Sequence, residues 1–113
     1  GWVCLPEVDI DIPLLPGMIA ICQAVMPPQG FRRMYYTGER FGGPVAQELG
    51  YVDRVFSADE LLPASVAFAA DLARKKTRTY AEMKRRIRAE VARVLDEEDP
   101  PLFLQTLACA MPG

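Results

Sequence analysis

The sequence predicts an α/β fold that is predominantly helical. Three observations carry this expectation. A short apolar run, Trp2-Val3-Cys4-Leu5, reads as a buried strand. Proline-opened apolar segments follow it, and the second half carries two stretches of capping-box form ahead of helical stripes.

Taken in order, residues 1–5 give the strand, and Pro13 and Pro16 punctuate a loop. Gly17 to Met26 is apolar on nearly every face, which predicts a buried helix ended by Pro27-Pro28. Pro28 opens a second helix through Phe31, Met34 and Tyr35, and Gly38 stops it. A short helix over Val45 to Leu49 begins after Gly42-Gly43-Pro44 and closes at Gly50. The β-branched and aromatic stretch from Tyr51 to Phe56 predicts a short strand. Ser57-Ala58-Asp59-Glu60 then opens a helix to about Arg74, with Leu62, Val66, Ala69 and Leu72 on one face. Thr79-Tyr80-Ala81-Glu82 opens another over 79–95, striped by Tyr80, Met83, Ile87, Val91 and Val94. Asp99-Pro100-Pro101 caps a final apolar helix over 102–110.

The bulk properties exclude several function classes. The 113 residues suffice for one small domain, and a net charge of −2 argues against a nucleic-acid partner. No apolar run is long enough to span a bilayer, and no secretory pattern opens the sequence, so the expected compartment is the cytoplasm. Cys4, Cys22 and Cys109 lack any metal-ligand spacing and read as small buried hydrophobes in a reducing environment. No metal site is expected. There is no histidine, which removes Ser-His and Cys-His catalysis and leaves acid–base work to carboxylates, tyrosines, lysines or cysteines.

The stretch Pro6-Glu7-Val8-Asp9-Ile10-Asp11-Ile12-Pro13 is the most informative. It places a carboxylate between a strand and an apolar helix, where a rigid backbone can hold it partly desolvated, as a general base requires. On local pattern alone, the favoured reading of Glu7 is an exposed loop carboxylate beside Asp9 and Asp11, because acidic loop residues are common. Nine of the thirteen Lys and Arg residues lie between Arg74 and Arg93, and read locally as a solvated helix face with Glu82 and Glu90 interspersed. Phe103 reads as a core residue.

Pro6-Glu7, Pro16-Gly17, the run Tyr36 to Phe41 and the run Ala46 to Phe56 together resemble the second half of the enoyl-CoA hydratase/isomerase (crotonase) family. The resemblance implies the last turn of a crotonase-type ββα spiral. Residues 1–56 would form the end of that spiral core with a catalytic loop, and residues 57–113 a C-terminal helical trimerisation region. Glu7 would then be the catalytic base that removes or returns a proton beside an acyl thioester. Pro16, Gly17 and Met18 would border the acyl pocket, and Lys84 would meet the phosphates of coenzyme A. Phe103 would cover the adenine of a coenzyme A bound to a neighbouring subunit.

Coenzyme A enters this picture as part of the substrate, with no separate cofactor. The implied partners are an acyl-CoA, sister chains in a trimer or dimer of trimers, and a first half carrying the oxyanion hole. Where many family hydratases are glycine-rich after the glutamate, this chain has Asp11-Ile12-Pro13-Leu14-Leu15, which is more like the isomerase branch. A non-catalytic helical association module is the competing reading.

Overall fold

The computed structural model describes residues 1–110, with backbone alone at 106, 109 and 110. Cys109, one of the three expected buried cysteines, therefore has its side chain outside the described residues. The element order is β1 (Trp2–Val3), α1 (Glu7–Ile10), α2 (Pro16–Val25), α3 (Pro28–Thr37), β2 (Phe41–Gly42), α4 (Gly43–Glu48), α5 (Ala58–Ala73), α6 (Thr77–Ile87), α7 (Ala89–Glu97) and α8 (Asp99–Ala110). β1 and β2 pair antiparallel, with Trp2 opposite Gly42 and Val3 opposite Phe41.

Three prolines start helices where a missing N–H costs nothing: Pro16 for α2, Pro28 for α3 and Pro44 for α4. Gly38 ends α3 at φ 64°, and Gly50 follows α4 at φ 77°, both in the left-handed region that glycine reaches without strain. Met34, Phe41 and Ala46 form a small core, against which Val3, Leu5, Leu49, Tyr51 and Val52 pack. The Phe41 and Tyr51 rings meet edge to face at 5.0 Å between centroids. The Tyr51 hydroxyl donates to the Gly30 carbonyl at 2.7 Å, tying the segment after α4 to α3.

The second half meets the first through α2. This helix packs on α7, and the Arg88 guanidinium between α6 and α7 donates to the Ala24 carbonyl at 3.3 Å. At the other end of α2, the Gly17 N–H donates to Asp99 Oδ1 at 2.7 Å across 82 residues of sequence. The carboxylate thus satisfies one of the amides that a helix start leaves open. A Cβ on Gly17 would run into the Asp99 carboxylate and Leu95, so only glycine permits this approach.

Several sequence expectations are corrected here. β1 is only two residues long and its Trp2 is 60% exposed, with the Arg40 guanidinium over its ring at 4.6 Å. Tyr51 to Phe56 is not a strand. The Tyr51 and Val52 amides turn back to the Ala46 carbonyl, and Phe41–Gly42 takes the place beside β1 instead. α2 is apolar, as read, yet Met18, Ile21 and Val25 are exposed, since α7 covers only one side.

The two capping boxes do not form as expected. Ser57 precedes α5, but its hydroxyl donates to the Glu60 carboxylate at 2.8 Å and not to backbone. Thr79 lies inside α6, which starts two residues earlier, and Glu82 turns to Arg85 and Arg86. The expected helix over 79–95 is two helices meeting at Arg88, and within its stripe Tyr80, Met83 and Ile87 are exposed while Val94 is buried. Asp99 begins α8 itself and caps α2. Phe103 is 51% exposed, so it is no core residue in this chain.

The burial is small for the chain's size. Accessible surface is 8853 Å², whereas a compact 12.6 kDa monomer exposes roughly 6,200 Å². The radius of gyration, 17.1 Å, exceeds the roughly 13 Å of a compact domain of this length. Most of α5 lies in solvent, with only Ala64 half-buried among its residues.

Gly17→Ala should destabilise the fold by about 1–3 kcal/mol through overpacking. Asp99→Ala should cost about 1–3 kcal/mol through the lost charge-assisted bond. Urea unfolding midpoints for both variants and the parent check this. The double variant should lose less than the sum, because the two residues share one contact.

Candidate active site

The carboxylates of the Pro6–Pro13 segment are separated by a single helical turn. Pro6 accepts the amides of Asp9 at 2.9 Å and Ile10 at 3.2 Å, and Glu7 accepts that of Ile12 at 3.2 Å. The turn closes at Asp11, whose own N–H also returns to the Glu7 carbonyl and whose φ of 57° is left-handed, a conformation aspartate tolerates better than most residues. The segment expected to be a catalytic loop is therefore α1, and Glu7 is its first residue.

This geometry sorts the three acids. The Asp9 carboxylate lies against Gly38, close enough that a Cβ there would collide with it. Glu7 and Asp11 instead line a cleft of about 680 Å³. Its other walls are Leu5, Val8, Ile12, Pro13 and Leu14, with Ile19 from α2 and Tyr35 from α3. Tyr36, adjacent in sequence, is exposed, because neighbouring positions on a helix face different ways. Glu7 Oε2 is buried and has no hydrogen-bond partner. A buried acceptor without a donor is costly.

Cys22 is buried nearby in α2. Burial, and then the negative charge of Glu7, push its thiol up from the ordinary range. Cys4 is half-buried, less enclosed than the sequence suggests.

The remaining sequence candidates do not line this cleft. Pro16, Gly17 and Met18 form the first turn of α2, one turn before Ile19. Gly17 is buried with its amide taken by Asp99, and Met18 is exposed. Lys84 is exposed on α6 and Phe103 on α8, and neither lines the cleft. Within the basic cluster, Arg85 and Arg86 pair with Glu82, Arg74 with Asp71, and Arg93 with Glu90, Glu97 and Glu98. Among the described residues Lys75, Lys76, Arg78 and Lys84 make no such pair, and Lys84 is exposed.

Sequence reasoning missed Asp11 as a cleft residue, which only its backbone turn reveals, and the role of Asp99, which has no local signal. It also missed a second depression of about 680 Å³ between 53–56 and α5, where Arg54 stacks on Phe68 at 4.5 Å. Among the described residues, none that lines that depression has a buried unpartnered side-chain atom, whereas Glu7, which lines the first cleft, does. Among the described residues, no cluster of His, Cys, Asp and Glu could hold a metal ion, and no helix is long and apolar enough to cross a membrane.

A solved structure of an enoyl-CoA hydratase/isomerase family protein from Pseudomonas syringae is similar to this chain, with a TM-score of 0.77 and 26% identity. The chain has the fold of part of an enoyl-CoA hydratase/isomerase family protein. The match covers 86% of this chain and 42% of the Pseudomonas protein, so the chain spans less than half of that protein's length. No family model matches the sequence, and no curated protein matches it. The mostly helical architecture with one small sheet agrees with this relationship.

The Glu7–Cys22 proximity is testable by alkylation. Cys22 should react with iodoacetamide at neutral pH far more slowly than Cys4. Glu7→Gln removes a negative charge that disfavours the thiolate, so the pH–rate profile of Cys22 should shift to lower pH. Mass spectrometry of the two peptides reads both effects.

Proposed function

We propose that this chain supplies the proton-transfer half of an enoyl-CoA hydratase/isomerase-type site, with Glu7 as the base. The supporting observation is that Glu7, whose buried Oε2 has no hydrogen-bond partner among the described residues, lines a largely apolar cleft together with Asp11. The solved relative's family name supports the substrate class. Glu7 takes a proton from carbon beside the acyl thioester and returns it at another carbon, so the double bond migrates with no net change in atoms. Water addition to an enoyl-CoA is the alternative outcome of the same proton shuttle. The bulky segment Ile12-Pro13-Leu14, which walls the cleft, favours isomerisation slightly, because it leaves little polar surface to hold a water.

The enolate that forms needs donors aimed at the thioester oxygen, and such donors contribute roughly a hundred- to thousand-fold each. In this proposal they come from polypeptide outside this chain, and the chain alone is inactive. Exposed Lys84 would serve the coenzyme A phosphates as a mobile point charge, and exposed Phe103 would stack on adenine from a neighbouring subunit. Pro16, Gly17 and Met18 would set the pocket through the position of α2.

A second reading has its own observation. α5 and α8 expose Leu62, Val66, Leu104 and Phe103, and the excess of accessible surface is of the size that obligate interfaces cover. The helical half would then be an association module, as a trimer or against the polypeptide that carries the oxyanion donors.

Glu7→Gln should lower turnover of the assembled protein roughly a hundred- to ten-thousand-fold while leaving acyl-CoA affinity nearly unchanged. Asp9→Asn, whose carboxylate faces Gly38, is the control. Full turnover in Glu7→Gln would assign the base elsewhere. Lys84→Ala should weaken coenzyme A binding and flatten its salt dependence, measured by calorimetry. Sedimentation at roughly 50 µM should show association, and a stable monomer there would refute the module reading.

A further inference from the structure

On the reading that the Glu7 cleft is an acyl-CoA site, its polar side chains divide by place and by chemistry. Val8, Asp11, Ile12 and Pro13 are exposed and form a rim open to solvent. Leu5, Glu7, Leu14, Ile19 and Tyr35 are half-buried and form the more enclosed part. Glu7 and Tyr35 are thus the two polar side chains of that part. An ionised carboxylate only accepts hydrogen bonds, whereas a phenol carries a proton to give. Among the described residues that line the cleft, Tyr35 is the one that brings a neutral hydroxyl donor.

Tyr35 is held in place by its own helix. It belongs to α3, which also buries Phe31 and Met34. Its ring meets that of Phe31 at 4.9 Å and that of Tyr36 at 4.7 Å between centroids, so it is braced on two sides. A hydrogen bond with Tyr36, and then burial, hold its hydroxyl above the usual phenol range, so it is protonated at neutral pH. Glu7 belongs to α1, which packs on α3. The two side chains therefore line one cleft from two contacting helices, one able to take a proton and one able to give it. Acid–base chemistry needs such a pair.

We propose that Tyr35 is a second catalytic residue, the donor that completes the proton transfer begun by Glu7. The Glu7 carboxylate takes a proton from the carbon beside the thioester carbonyl, and the electron pair of that bond passes into a conjugated enolate. The Tyr35 hydroxyl gives its proton to the far carbon of the original double bond, which moves one place toward the thioester. The tyrosinate then takes the proton held by the Glu7 carboxyl, which restores both groups with no net change in atoms. Glu7 thus returns its proton by way of Tyr35. Because the rim is open, the hydroxyl exchanges its proton with water between turnovers.

The test follows isotope and turnover together, using the assembled protein in ordinary water and an enoyl-CoA deuterated at the carbon beside the thioester carbonyl. In the parent, the product should carry little deuterium at the far carbon, since that hydrogen comes from the exchanged Tyr35 hydroxyl. Tyr35→Phe keeps the ring and its packing. It should lower kcat roughly a hundredfold with KM nearly unchanged. In the turnover that remains, Glu7 alone carries the hydrogen across, so deuterium should appear at the far carbon. A merely structural role for Tyr35 would change the rate without moving the label. Parent turnover in Tyr35→Phe, a lowered rate with the parent's label pattern, or deuterium carried across by the parent overturns this proposal. Where Glu7→Gln is inactive in the same experiment, Glu7 as base still stands, whereas full turnover in Glu7→Gln overturns both.

Discussion

The hydrogen bond from the Gly17 amide to the Asp99 carboxylate is the constraint on which the arrangement of the two halves depends. It joins the first turn of α2 to the first residue of α8, and glycine is required because the carboxylate and Leu95 occupy the space of a side chain. With Arg88 holding the far end of α2 at the Ala24 carbonyl, the helix is fixed at both ends against the C-terminal helices. α2 also supplies Ile19 to the Glu7 cleft. The position of one cleft wall is therefore set by residues some eighty positions later in the sequence. A helix start with an anchored anion is also favourably placed for the helix dipole.

The cleft itself depends on a more local economy of charge. α1 is one turn long, and its backbone bonds are closed by Pro6 and Asp11. That turn sends Asp9 toward Gly38 and leaves Glu7 and Asp11 in the cleft. The charges of α6 and α7 behave differently. Arg85, Arg86 and Arg93 are exposed and satisfied by glutamates three to five residues away, in pairs that stabilise a helix by only a few tenths of a kcal/mol. These pairs and that of Arg74 with Asp71 occupy four of the nine basic residues in the run.

The legible part of the fold was the part decided by local backbone chemistry. Pro16, Pro28, Gly38 and Gly50 mark helix ends in the sequence because proline lacks a donor and glycine reaches positive φ, and the structure places helix ends there. Tyr51 to Phe56 was misread because β-branched and aromatic composition describes a surface that suits a sheet, not the presence of a partner strand. The capping boxes at Ser57 and Thr79 were misread because Glu60 and Glu82 found side-chain partners closer than the amides they were expected to serve. Tyr80, Met83 and Ile87 carry a true helical stripe, but a stripe says which face is apolar and not what covers it. For the candidate site, the sequence places Glu7 between β1 and α2, and the structure puts it in the wall of a cleft. Its separation from Asp9, its company with Asp11 and the anchor at Asp99 follow from tertiary geometry that no local pattern encodes.

The central claim is that Glu7 moves a proton on the acyl chain. The most direct measurement is the uptake of solvent deuterium into the acyl carbons of a bound enoyl-CoA, followed by mass spectrometry with the assembled protein in heavy water. The parent should label the acyl chain, and Glu7→Gln should abolish labelling while the thioester still binds. Labelling at the parent rate in Glu7→Gln would contradict the account.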